Sequence, residues 1–108
     1  MNFRLLEGET ILKEGKANRC GLVVAQGGTL ALTNKRLVFV GHGKNIGEGT
    51  VSISLDEVLT CGKAFTFSLF VPIPIPNAIK VVLQNGKKFR FTVFGRQKWL
   101  SALQKAMK

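Results

Sequence analysis

The 108-residue chain has no tyrosine, one tryptophan, one histidine, two cysteines and six acidic residues against 16 lysines and arginines. His42 alone, in a glycine-rich stretch, cannot build a zinc cluster or a histidine dyad. Cys20 and Cys61 lack the spacing of a redox or metal motif. Asp56 and Glu57 are adjacent in a turn and point apart, which suits solvent rather than paired acid–base work. Residues 41–49 resemble a phosphate cradle only superficially. Lys44 is followed by Asn45 rather than Ser or Thr, and a strand follows instead of a helix. No catalytic residue, metal ligand or bound cofactor is expected. No apolar run approaches the roughly 20 residues that span a bilayer. Charge at Arg4 and Glu7 comes too early for a secretory signal. A cytoplasmic protein with free, buried Cys20 and Cys61 is the resulting expectation.

What is abundant is positive charge, a formal +10, in a chain that is 45% hydrophobic and 20% charged. That composition excludes disorder. The length predicts one domain, residues 1–108, burying about two-thirds of its unfolded surface. The field attracts phosphate, on lipid headgroups or on nucleic acid, without telling the two apart.

Residues 8–17 open as a first strand. Residues 28–40 read as a β-hairpin. With Asn34 and Lys35 as a two-residue loop, Leu32 faces Leu37 and Leu30 faces Phe39, so all four share a buried face. Asn34 suits a loop position with positive φ, and Lys35 suits its own less well. Residues 41–49 form a loop. Val51, Ile53 and Leu55 then alternate with serines as a strand buried on one face, and a further strand runs from Val58 to about Ala64. Near the end, Asn85-Gly86 as a two-residue turn would place the apolar sets of the flanking strands on opposite faces. A three-residue loop, Gln84-Asn85-Gly86 with Gly86 left-handed, restores agreement: Val81 meets Phe89 and Ile79 meets Phe91. Residues 95–107 form an amphipathic helix through Trp99, Leu100, Leu103, Ala106 and Met107. Six or seven strands followed by one helix exclude a βαβ architecture. They predict a bent, partly closed barrel plugged by Trp99.

Leu6-x-Gly8-Glu9, Leu32-Thr33-Asn34-Lys35-Arg36-Leu37, Ile53-x-Leu55-Asp56-Glu57-Val58, Asn77-Ala78-Ile79, Phe89-Arg90-Phe91 and Arg96-x-x-Trp99 occur in an order that resembles GRAM domains and bacterial pleckstrin-homology-like domains. The resemblance implies a mainly β fold: a pleckstrin-homology-like split barrel of about seven antiparallel strands capped by one C-terminal helix. It also implies a noncatalytic module that binds membrane lipids or protein partners.

Such domains hold phosphoinositides with basic residues flanking the first interstrand loop. The counterparts here are Lys13, Lys16 and Arg19, whose spacing departs from the usual pattern. The hairpin register adds a second candidate anion site, with Lys80 opposite Arg90 on the outward face and Lys88 one step along. Like charges directly opposed destabilise a sheet, so such a pair points to an anion. Residues 65–76 carry proline at every second position from 72, which leaves one hydrogen-bonding side. An edge or free loop is predicted, with Phe67, Phe70, Ile73 and Ile75 as hydrophobic contact residues. Packing under the barrel, dipping into a bilayer and contacting a second copy compete for this segment.

The leading expectation is peripheral association with anionic phospholipid or a membrane-linked protein partner. A self-assembling homo-oligomer is its rival. Nucleic acid fits less well, because Phe89 and Phe91 alternate away from Lys88 and Arg90 and leave no aromatics interleaved with cations on an exposed face.

Overall fold

A computed structural model describes residues 3–19, 26–41, 50–66 and 75–107. Among the described residues seven strands form one antiparallel sheet: β1 (Ile11–Arg19), β2 (Gln26–Thr33), β3 (Arg36–Gly41), β4 (Thr50–Ser54), β5 (Val58–Thr66), β6 (Ile75–Leu83) and β7 (Lys88–Val93). The helix α1 (Arg96–Ala106) follows. The strand order is β4-β3-β2-β1-β7-β6-β5, so the first and last strands meet in the middle, over three residue pairs from Ala17↔Val93 to Arg19↔Phe91. The ends, β4 and β5, are joined by the 3-10 turn Leu55–Glu57 and do not pair. The barrel is therefore split, as its sequence predicts.

Both hairpin registers are those the alternation demands. Leu30 faces Phe39 and Leu32 faces Leu37. Ile79 faces Phe91 and Val81 faces Phe89, across a turn with Gly86 at φ 90°. That conformation is open to glycine at little cost. These residues, with Ile53, Leu83, Val93 and the helix side chains Trp99, Leu100 and Leu103, make one core. Trp99 and Leu103 are buried, and α1 lies across β5 and β6 with smaller contacts to β1 and β2.

Two expectations are corrected and a third is narrowed. The first strand begins at Ile11, and Gly8 instead forms a turn at φ 73°. Asn34 is not left-handed, since no described non-glycine residue has positive φ. The bend is held by Thr33, whose Oγ1 accepts from the backbone N–H of Lys35 and of Arg36, each at 3.0 Å. A side-chain acceptor in a tight turn satisfies donors that no ladder reaches. Lastly, of residues 65–76, read as an edge or a free loop, the described ends take the edge and are not free. Phe65 and Thr66 end β5, Ile75 and Pro76 start β6, and Thr66 pairs with Ile75. The ladder shifts register between Ala64 and Thr66, opposite Pro76 and Asn77, as a residue without an N–H requires. β5 does form a sheet edge.

The hairpin tip Thr33-Asn34-Lys35-Arg36 also clasps the N-terminal strap. The Asn34 side chain accepts from Thr10 N at 2.7 Å and donates to the Gly8 carbonyl at 3.0 Å. Lys35 Nζ donates to the Glu7 carbonyl at 2.7 Å. The buried Glu9 carboxylate accepts from Arg36 Nε (2.8 Å), Thr33 Oγ1 (2.7 Å) and Leu6 N (2.7 Å). Arg36 further donates to the Arg4 carbonyl and lies over the Phe3 ring. The Arg36 guanidinium, with the other two hydrogen bonds, holds Glu9 at a pKa of about 2 against the effect of its own burial.

Candidate functional site

Strand alternation sorts the predicted basic residues onto two faces. On β7 the core takes Phe89, Phe91 and Val93. Lys88, Arg90 and Thr92 therefore point outward, and Phe94 continues that column just past the strand. On β6, Lys80 pairs with Arg90 and Val82 with Lys88. Lys80 and Lys88 are exposed, and Arg90 is half-buried. The guanidinium Nε of Arg90 is buried without a hydrogen-bond partner among the described residues. Beyond Lys80 on β5 stands Gly62, and a side chain there would meet nothing within 4 Å. Lys80, Lys88 and Arg90 thus share one outer face.

β1 divides the other predicted cluster. Lys13 shares the inward side with Ala17, Arg19 faces inward opposite Phe91, and Lys16 is outward and exposed. Lys13 Nζ lies 5.3 Å from the Trp99 ring and the Arg19 guanidinium 5.3 Å from the Phe89 ring. Both cations rest on aromatic faces at the ends of the core. The expected trio Lys13, Lys16 and Arg19 is not gathered in one place, because residues an odd number apart on a strand lie on opposite faces. Lys16 instead joins the β7 face. Together with Asn18, Asn77, Thr92 and Phe94 it lines an open hollow of about 570 Å³ on the β1–β7 seam. Asn18, Asn77 and Thr92 are each already held by interactions of their own.

A second hollow, of about 610 Å³, lies between the strap, the hairpin tip and the helix end. It mixes Lys35 and Arg36 with Asp56 and Glu57 and so presents no single sign of charge.

Phe67, Phe70 and Ile73 lie outside the described residues, as do His42 and Cys20. Ile75 is placed by its backbone alone, at the start of β6. Cys61 is a free, half-buried thiol with Sγ 3.9 Å from Met107 Sδ, and burial pushes its pKa up. Among the described residues no three His, Cys, Asp or Glu side chains gather as metal ligands, and no helix is long and apolar enough to cross a membrane.

Two features escape a motif-by-motif reading. From residue 58 to 108 the chain holds nine of its 16 lysines and arginines and no aspartate or glutamate. The β5–β7 face therefore has no carboxylate side chain of its own to neutralise it. The other is Phe94, 84% exposed. The alternation of Phe89, Phe91 and Val93 onto the core puts residue 94 outside, so its exposure follows from the register.

No family model matches the chain, and no curated protein is detectably similar in sequence. Solved structures do match. The C-terminal domain of an unknown protein from Leishmania infantum has a TM-score of 0.75 at 24% identity, over 94% of this chain and 86% of that one. The Vps36 N-terminal PH domain gives 0.73 at 13% identity, over 96% and 83%. The Slm1 PH domain gives 0.65 at 15% identity, over 92% and 99%. Seven antiparallel strands in one split sheet, closed off by a C-terminal helix, are the pleckstrin-homology-like fold, and this chain has it.

Proposed function

We propose that the chain is a noncatalytic binding module, of the GRAM type within the pleckstrin-homology-like fold, that associates peripherally with anionic membranes. The carrying observation is the outer face of β6 and β7, where Lys80 and Arg90 are directly paired, Lys88 adjoins them, and no acidic side chain occurs on the sequence from β5 onward. Lys16 adds a fourth cation across the seam. Lys13 and Arg19, packed on aromatic rings, are less free to leave for a ligand. Fold neighbours support the reading in kind: Vps36 and Slm1 are represented by PH domains, and the Slm1 domain is described as binding ligand outside the usual site.

Each cation close to an anionic surface contributes on the order of 1 kcal/mol. Four together reach only millimolar affinity, so charge attracts the domain without retaining it. The test is co-sedimentation with phosphatidylcholine vesicles, with and without phosphatidylserine, across a salt series, and with duplex and single-stranded oligonucleotides as competitors. Binding to acidic vesicles that fades with salt is expected. Indifference to vesicle charge removes the proposal, and tighter binding to an oligonucleotide transfers the face to nucleic acid. A second reading, self-association along the β5 edge, is favoured by the exposed Leu59 (62%) and Phe65 (52%) on that strand. A monomeric mass by sedimentation at micromolar concentration sets it aside.

A further inference from the structure

We infer that Phe94 is the apolar anchor of the basic face, so that the domain meets an anionic bilayer with the β7 column Lys88-Arg90-Thr92-Phe94 lying along its surface. This rests on the membrane reading above and specifies how the surface is engaged.

Phe94 is the most exposed of the large apolar side chains among the described residues, at 84%. Its position is fixed rather than incidental. Val93 is held in the core, and the turn after Phe94 is tied down by hydrogen bonds from Lys98 N and Trp99 N to the Gly95 carbonyl, at 2.9 and 3.1 Å. The first turn of α1 thus locks the backbone beside the ring and fixes where it is presented. Phe is a large apolar side chain whose transfer from water into an apolar medium is favourable.

The charge around the ring calls for an anionic occupant. Lys16 lines the same hollow, the Lys98 stem approaches within 4.0 Å of a side-chain position at Gly95, and Arg90 and Lys88 precede Phe94 on the same outward column. From Lys88 to Phe94 the column spans about 20 Å, flanked by Lys80 on β6. The carboxylate on β1, Glu14, lies opposite Ala31 of β2, outside the stretch of β1 that pairs with β7. A ring with Lys16 beside it and Arg90 and Lys88 further along its column, on a face whose one β1 carboxylate is Glu14, matches an acidic lipid surface: phosphates for the cations and a shallow acyl boundary for the ring. A second copy of the chain would bring its own like-charged face against this one.

The experiment is vesicle binding by the full chain and by Phe94→Ala, Phe94→Leu and Phe94→Trp, with phosphatidylcholine–phosphatidylserine vesicles. Phe94→Ala should bind about tenfold more weakly with an unchanged salt slope, because the ring carries no charge. Phe94→Leu should retain most of the affinity. All three variants should melt with the parent, since the side chain is already in solvent. Phe94→Trp adds a second indole, whose emission should shift blue on acidic vesicles and be quenched by brominated acyl chains, while buried Trp99 stays unquenched. If the parent binds acidic vesicles but Phe94→Ala binds equally and the new indole is neither shifted nor quenched, the anchor is refuted and the membrane reading stands. If the parent ignores acidic vesicles, both fall. Loss of a dimer in Phe94→Ala, seen by sedimentation, would assign the ring to self-association and overturn the anchor.

Discussion

Glu9→Gln tests whether the hairpin tip is a clasp for the strap or only a turn. Glu9 has its ordinary carboxylate pKa of 4.5 lowered to about 2, chiefly by the Arg36 hydrogen bonds, in a side chain with no exposed surface. At about 1.4 kcal/mol per unit, the preference for the ionised form is worth up to about 3 kcal/mol of folding stability. The partner guanidinium is partly open to water, which screens some of that. Because the folded pKa is the lower one, the contribution is complete above about pH 4.5 and is lost as pH falls through the folded value near 2. The amide of the variant keeps the shape and part of the hydrogen bonding while losing the charge, so Glu9→Gln should cost about 1–3 kcal/mol at neutral pH. It should also flatten the acid limb of the stability profile. Urea denaturation followed by circular dichroism across that pH range measures both, and an Arg36→Gln partner completes a double-mutant cycle with coupling above about 1 kcal/mol. A loss at neutral pH below about 0.5 kcal/mol, or an acid limb as steep in Glu9→Gln as in the parent, would refute the clasp.

Asn34→Gly should destabilise by about 1–2 kcal/mol in the same assay, since the Asn34 amide holds Thr10 and Gly8; a left-handed turn residue would instead tolerate glycine. Gly28→Ala should cost about 3 kcal/mol by urea denaturation, because the added methyl would press on the Val40 carbonyl and lie 2.7 Å from the Phe39 ring. Lys80→Glu turns the opposed pair with Arg90 into an ion pair. It should raise stability by a few tenths to about 1 kcal/mol while weakening binding to acidic vesicles at least tenfold. Stability and binding moving together would argue against a functional face.

The elements legible in the sequence are those where period-two alternation meets a turn with one workable loop length. Leu30, Leu32, Leu37 and Phe39 admit one register, and so do Ile79, Val81, Phe89 and Phe91. β1 is opaque for the opposite reason. Its inward positions are Lys13, Gly15, Ala17 and Arg19, and its ladder shifts register between Ile11 and Lys13, so no apolar column marks the buried side. Lys13 and Arg19 face the interior because Trp99 and Phe89 lie there to receive them, and those rings are distant in sequence. The role of Thr33-Asn34-Lys35-Arg36 is hidden likewise. Their partners are 24 to 32 residues away in the strap, beyond the reach of any local rule. Phe94 is within reach, as the residue after three that alternate onto the core.

Carboxylates and cations are distributed by task along this chain. All six acidic residues precede β5, and there Glu9 neutralises Arg36 while the Glu7 carbonyl takes Lys35, so that cations near the strap are tied into the scaffold. From β5 onward such neutralisation is absent from the sequence, although Glu in place of the exposed Lys80 would pair with Arg90. The directly opposed Lys80 and Arg90 cost the sheet stability, and the Arg90 Nε is buried and unpartnered among the described residues. On the proposal, an anion brought from outside would lie against both cations, and an anionic surface would do so while also accepting Phe94, the one large apolar side chain on that column turned to solvent. On the membrane proposal, charge segregation and the exposed ring share one explanation: this side of the barrel would leave its own balance to be completed by what it binds.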